Sequence, residues 1–360
     1  MAKETGNIHN ILFLIYSLYG GGAQKVCCNL ASALAEKYQV IIAYTNETDR
    51  QYPIDPRCEL VRIPWGRRVR GKYAKKVIGG LQGVSFCRRL KKSRHIDISI
   101  SFLITMNQVN VLSKCRDRVI TSERANPRIY QPEQFWKTRL IYALSDHVVF
   151  QSEKIRNFYG EKTRAHSSIV WNPVSVSCTA DEKRNKRIVA LGRLTEQKNY
   201  AMLIRSFSEF HNQHPNYTLS IYGDGVQRQM LQNLIESMGM QGSIFLEGNH
   251  QDVHRRIRDA EMFVLSSNFE GLSNALLECM TMGIACISTR CEGSEDVIRD
   301  KENGLLTDIG NEQQLTEAML CLAEDPAFRT KLEKQAEKDS DAFRMEIIAA
   351  QWKDIFQSDW

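Results

Sequence analysis

The chain has 360 residues, of which 42% are hydrophobic and 25% charged, with a net charge of +6. That length exceeds a single hydrophobic core and predicts two domains, and the composition excludes a disordered or fibrous chain. No apolar run approaches the ~20 residues of a membrane span, and the start MAKETGNIHN lacks a secretory leader, so a cytoplasmic chain is expected.

In chain order, short β-branched and aromatic runs alternate with helical patterns, as in βα units of a parallel sheet. The strand candidates of the first half are ILFLIYS (11–17), QVIIAYT (39–45), ELVRIP (59–64), DISISFL (97–103), RVITS (118–122) and HVVFQS (147–152). Helical spacing separates most of them, as in AQKVCCNLASALAEKY. At VWNPVSV (170–176) the periodicity stops, and Asn-Pro marks a turn or linker. A second series follows: RIVALG (187–192), YTLSIYG (217–223), SIFLEG (243–248), MFVLSS (262–267), ACIST (285–289) and GLLT (304–307). Helical patterns from Glu312 to about Phe356 close the chain. This predicts an α/β fold of two doubly wound, Rossmann-like domains facing across a cleft, spanning 1–172 and 173–340. Ligands of such sheets bind beyond the carboxyl ends of the strands, so chemistry is sought in the loops that follow them.

Charge divides unevenly between the halves. Residues 1–172 hold 28 Lys and Arg against 13 Asp and Glu, and the remainder hold 20 against 29. Val61 to Ile96 alone carries twelve basic residues and no acid. That stretch reads either as a solvated helix face or as a dock for an anionic membrane surface or a lipid pyrophosphate, with Trp65, Tyr73 and Phe86 adding apolar contact. No nucleic-acid module accompanies it, so no nucleic-acid partner is expected. Ten cysteines lie scattered without a C-x-x-C pair and read as reduced core thiols.

Five strand-end loops stand out, four of them in the second half. SLYGGGAQKV (17–26) puts Gly21 and Gly22 ahead of a helix start, where a phosphate or sugar could sit; a tight turn is the plain alternative. It is not a dinucleotide fingerprint, since no G-x-G-x-x-G is present. ALGRLTEQKN (190–199) supplies Arg193 and Lys198, two cations able to neutralise a diphosphate. IYGDGVQRQM (221–230) and FLEGNHQD (245–252) add Gly223, Asp224 and Asn249. EGLSNALLE (270–278) places Glu270 before a helix start formed by Gly271, Leu272, Ser273 and Asn274, with Glu278 one turn inside. The only D-x-D string, DSD at 339–341, lies away from the strand ends and reads as a helix start, so no metal is expected.

With GGAQKV, GRLTEQKN, YGDG and above all SSNFEGLSNALLECMTMGIACIST, the chain resembles the retaining GT-B glycosyltransferases of the family commonly numbered four. The last segment matches that family's E-x7-E element. The resemblance implies that Arg193 and Lys198 hold the donor diphosphate and that Glu270 contacts sugar hydroxyls. It also implies that the backbone of Gly271 to Asn274 caps phosphate, that Glu278 takes ribose hydroxyls, and that the last helix, 341–360, returns to the first domain. Many relatives carry a sugar-contacting histidine after the fifth strand. Here ITSERANPRIY puts Glu123 in its place, with a role in sugar binding, in accepting the acceptor's proton or in capping a helix.

The activity implied is transfer of a hexose or N-acetylhexosamine from a nucleotide sugar, UDP in the first instance, to a glycan or polyprenyl-linked acceptor. It needs no cofactor, and the enzyme would sit at the inner face of the cell membrane as a peripheral protein. A sugar-nucleotide epimerase on the same fold is the competing reading.

Overall fold

The computed structural model describes residues 8–46, 52–66, 72–181 and 183–358, with backbone alone for 72–76. Part of the 61–96 basic stretch, Tyr73 included, therefore lies outside the described side chains. Two compact units result, one of residues 1–173 with 345–360 and one of 174–344.

The first unit carries strands β1 (Asn10–Ile15), β2 (Gln39–Tyr44), β3 (Glu59–Arg62), β4 (Ile98–Phe102), β5 (Arg118–Ser122), β6 (His147–Phe150) and β7 (Ser167–Ile169). Its helices are α1 (Gly22–Leu34), α2 (Lys72–Ser93), α3 (Ile104–Leu112), α4 (Pro132–Leu144), α5 (Glu153–Arg156) and α6 (Glu161–Ala165). The sheet order is β3-β2-β1-β4-β5-β6-β7, with every pair parallel. The second unit holds β8 (Asn185–Leu191), β9 (Thr218–Tyr222), β10 (Ile244–Gly248), β11 (Ala260–Leu265), β12 (Ala285–Thr289) and β13 (Leu305–Thr307). Between and after them run α7 (Tyr200–Gln213), α8 (Arg228–Ser237), α9 (Val253–Ile257), α10 (Asn274–Thr281), α11 (Ser294–Val297), α12 (Glu312–Glu324) and α13 (Pro326–Asp339). Its order, β10-β9-β8-β11-β12-β13, is again wholly parallel. Both sheets therefore reverse direction once, between β1 and β4 and between β8 and β11, which is where an open α/β sheet leaves a crevice for ligand.

Central strands such as β1, β4 and β11 are buried along nearly their whole length, as strands covered by helices on both faces must be. In the first unit Ile11, Phe13, Ile15, Ile120 and Val149 face α1, whereas Leu12, Leu14, Val119, Val148 and Phe150 face the layer of α2, α3 and α4. A last helix, α14 (Met345–Gln357), closes the α1 side by burying Ile348, Trp352, Ile355 and Phe356. Arg118 ties it down by donating to the Phe356 and Ser358 carbonyls. Beneath α2, the fully buried Lys91 ammonium meets Asp117 at 2.9 Å and Asn110 at 2.7 Å.

None of the ten cysteines is disulfide-bonded; seven are buried, and burial raises the thiols of Cys87 and Cys28 to about 12. The DSD string does lie at a helix start, though a minor one: Asp339 flanks, and Asp341 falls in, the 3₁₀ turn Ser340–Phe343 that follows α13. Asp339 ends α13, where it accepts from Asn303 at 2.8 Å and Arg299 at 2.7 Å, and Asp341 pairs with Arg344. Among the described residues no helix is long and apolar enough to cross a membrane.

Candidate active site

The loops after β8 and β11 flank the point where the second sheet reverses, and they are laced together. Asn268 donates its backbone N–H to the Gln197 carbonyl at 2.8 Å and its side-chain amide to the Glu196 carbonyl at 3.0 Å. Asn199 donates to the Asn268 side-chain oxygen at 3.0 Å, and the Ser266 hydroxyl to the Lys198 carbonyl at 2.8 Å. Asn199 takes a left-handed φ of 46°, which lets its side chain cap α7.

This lacing brings two residues 72 positions apart into contact. The Lys198 ammonium lies 2.6 Å from the Glu270 carboxylate. The same carboxylate accepts from the Ser267 hydroxyl at 2.7 Å and from the Gln197 amide at 3.3 Å, and Glu270 is buried. A hydrogen-bonded carboxylate thus lies beside a lysine ammonium at the strand ends of the second sheet. The Tyr200 hydroxyl is buried nearby, without a hydrogen-bond partner among the described residues, and its ionisation is pushed up by burial and then by Glu270.

Beyond Glu270 the chain runs through Gly271, Leu272 and Ser273 into α10. Ser273 caps that helix, its hydroxyl accepting from the Leu276 N–H at 3.4 Å. Glu278 sits one turn inside and takes the His254 ring nitrogen of α9 at 3.1 Å. Gly293 wedges under this mouth: a β-carbon there would stand 1.7 Å from the Gly271 carbonyl oxygen.

The glycine turn after β9 has a packing cause. A β-carbon on Gly223 would lie 1.9 Å from the Gly192 carbonyl oxygen, and Leu194 donates its N–H to the Asp224 carbonyl at 3.0 Å. Gly223 therefore lets the β8 and β9 loops touch. Asp224 and Asn249 are exposed at the same strand edge, as is Arg193. Gly21 and Gly22 lie in the first unit, where Gly20 and Gly21 turn the chain into α1 at φ 70° and 59°.

Glu123 is a correction. It also belongs to the first unit, and it is fully buried. Its carboxylate accepts from the hydroxyls of Tyr130 at 3.0 Å, Tyr142 at 2.9 Å and Tyr159 at 2.9 Å and from the Ala125 N–H at 3.0 Å. Burial raises its pKa, and those hydrogen bonds partly offset the rise. So enclosed, it is not placed to touch sugar or acceptor, and Asn126 rather than Glu123 caps the following 3₁₀ turn. Glu123 instead ties the segment after β5 to α4 and to Tyr159.

Sequence reasoning missed Gln197, Ser267, His254 and Gly293. All four sit in or just beyond strand-end loops, but nothing in their local spacing shows which carboxylate or carbonyl each one meets.

Residues 179–339, which contain all of this constellation, match the glycosyl transferases group 1 family. Over 354 residues the chain is 25% identical to a Campylobacter jejuni alpha-1,4-N-acetyl-D-galactosaminyltransferase, covering 95% of this chain and 96% of that protein. The chain is a glycosyltransferase. The fold of this glycosyltransferase is GT-B: sucrose-phosphate synthase from Thermosynechococcus elongatus superposes with a TM-score of 0.83 over 97% of this chain and 98% of that one, at 15% identity. Anabaena HepE, solved with UDP and glucose, gives 0.83 over 97% and 99%, also at 15% identity.

Proposed function

We propose that the enzyme moves a hexose or N-acetylhexosamine from a UDP-sugar to a lipid-linked glycan in bacterial polysaccharide or glycan assembly, with retention of anomeric configuration. The observation that carries this reading is the Lys198–Glu270 pair at the reversal point of the second sheet, beside the Ser273-capped start of α10. Departure of a nucleoside diphosphate builds negative charge on its leaving oxygen. Lys198, Arg193 and the start of α10 would stabilise that charge more in the transition state than in the ground state. In this assignment they do the work a metal does elsewhere, and the reaction proceeds in EDTA.

Glu270, oriented by Lys198, Ser267 and Gln197, holds donor-sugar hydroxyls, and Glu278, oriented by His254, holds the ribose. Carboxylates suit both tasks because they accept paired hydroxyl hydrogen bonds. Acceptor recognition is assigned to the first unit. The Campylobacter relative is named for transfer onto a diNAcBac-PP-undecaprenol-linked chain, which supports a polyprenyl acceptor. The UDP in the HepE structure supports the choice of base.

The test is a thermal-shift panel of nucleoside diphosphates and nucleotide sugars, followed by transfer assays on a polyprenyl-pyrophosphate-linked sugar. A ligand at 100 times its Kd adds about 2.7 kcal/mol. UDP should raise the unfolding temperature of the wild type and much less that of Lys198→Ala, and Glu270→Ala should lose turnover. Wild-type donor affinity and turnover in both variants would refute the site. An epimerised nucleotide sugar formed without acceptor would refute transfer.

A further inference from the structure

We propose that the α2–α3–α4 face of the first unit is a docking surface for an anionic lipid bilayer. The proposal extends the reading in which the acceptor is lipid-linked.

The sequence of α4, PEQFWKTRLIYAL, has apolar residues on opposite sides. Thr138, Ile141 and Tyr142 point into the protein. On the other side Trp136, Leu140 and Leu144, at successive four-residue steps, are 63%, 61% and 54% exposed. A helix apolar on both sides is built for burial on both sides, and the protein supplies only one. The neighbouring helices continue the theme. On α2, Val77, Ile78 and Leu81 are exposed, Leu81 at 67%, and Leu112 is exposed where α3 ends. All three helices cover the same sheet face, because the strand residues beneath them, Leu12, Leu14, Val119 and Val148, share one orientation.

The charges around these side chains select the occupant. Arg88, Arg89 and Lys92 are exposed along α2, and Arg88 reaches across to donate to the Leu112 carbonyl at 3.1 Å. The sequence of α2 contains no acid. On α4, Lys137 is exposed and the Arg139 guanidinium stacks 4.8 Å from the Trp136 ring, with Glu133 the one acid, in the first turn. Apolar side chains, an exposed tryptophan and a cationic surround match the interface of an anionic membrane, where aromatic rings settle at headgroup depth and Lys and Arg meet the lipid phosphates. A second copy of the same face would set these cations against one another.

The test is co-sedimentation of the full chain with phosphatidylcholine vesicles, with and without phosphatidylglycerol, from low salt up to about 0.5 M, where surface charges are screened within ~5 Å. Expected are binding to the anionic vesicles that weakens with salt, and at least a tenfold weaker partition for Leu140→Glu and for the pair Arg88→Glu with Lys92→Glu. All variants should keep the wild-type thermal shift with UDP. Tryptophan emission should move to the blue on vesicles in the wild type and less so in Trp136→Phe. The proposal is overturned by absence of vesicle binding at low salt, or by binding indifferent to both sets of substitutions. It is equally overturned by a dimer in light scattering that Leu140→Glu dissolves. Vesicle binding without a UDP shift would instead sink the donor-site assignment and leave this surface standing.

Discussion

Replacing Lys198 by Met keeps the stem and removes the charge that faces Glu270. The carboxylate would stay buried with the Ser267 and Gln197 donors still in place. Breaking a buried ion pair from one side costs about 3–5 kcal/mol. Because the remaining donors keep Glu270 partly solvated, the lower end applies, about 3 kcal/mol. For a domain the size of residues 174–344 each kcal/mol is worth about 2–4 °C, so the unfolding temperature should drop by about 6–12 °C. Glu270→Gln should cost less, about 1–2 kcal/mol, since the Lys198 side chain can swing its charge toward water. The double variant should be more stable than the sum of the single losses by at least about 1 kcal/mol, the signature of direct coupling. Differential scanning fluorimetry and urea titration of the four proteins measure this cycle. Losses that add, with Lys198→Met within about 0.5 kcal/mol of wild type, would refute the view that these charges hold each other in place.

Three further outcomes are expected. Gly293→Ala must push the Gly271 carbonyl aside, so donor KM should rise at least tenfold alongside a loss of about 1–3 kcal/mol, and a variant with wild-type KM would contradict the wedge. His254→Ala removes the partner 3.1 Å from Glu278 and should raise donor KM about tenfold while kcat stays within about threefold; an unchanged KM would remove His254 from the site. His147 is pushed down to about 4 by burial, then by His166 and Arg118, so between pH ~6.5 and ~4 the unfolded chain takes up a proton that the folded one refuses. Stability should therefore fall with pH across that window by at most about 3 kcal/mol, and His147→Gln should flatten the fall in denaturant titrations; an identical slope in the variant would show that His147 does not cause it.

Twelve of the thirteen strands among the described residues were legible because buried parallel strands leave continuous apolar runs, as ILFLIYS and MFVLSS do. The exception, Ser167–Ile169, is a three-residue edge strand whose residues are only partly buried, so neither length nor alternation marks it. Placing Arg193, Lys198 and Glu270 at strand ends followed from the same runs. Their pairing did not, because a contact between residues 72 apart depends on strand order, which no local pattern encodes. Glu123 shows the opposite failure. In sequence it looks like any loop carboxylate, and only the tyrosines at 130, 142 and 159, gathered from three separate segments, reveal that it is enclosed. Gly223 reads in sequence as a possible ligand contact or a plain turn and Gly293 carries no signal at all, whereas what excludes a side chain at each is a neighbouring carbonyl, not a ligand.

The second unit is stitched shut at its own ends: Val174 donates its N–H to the Phe343 carbonyl at 2.9 Å and bridges Arg344. The first unit, by contrast, is completed only when α14 arrives with Trp352 and Phe356. A ribosome therefore releases a finished insert before the host around it can close, and until α14 emerges, the flank of α1 waits with its oily side uncovered. Residues 174–344 should accordingly survive excision as a free-standing piece, whereas a stop codon placed before Met345 would leave the remainder prone to clumping.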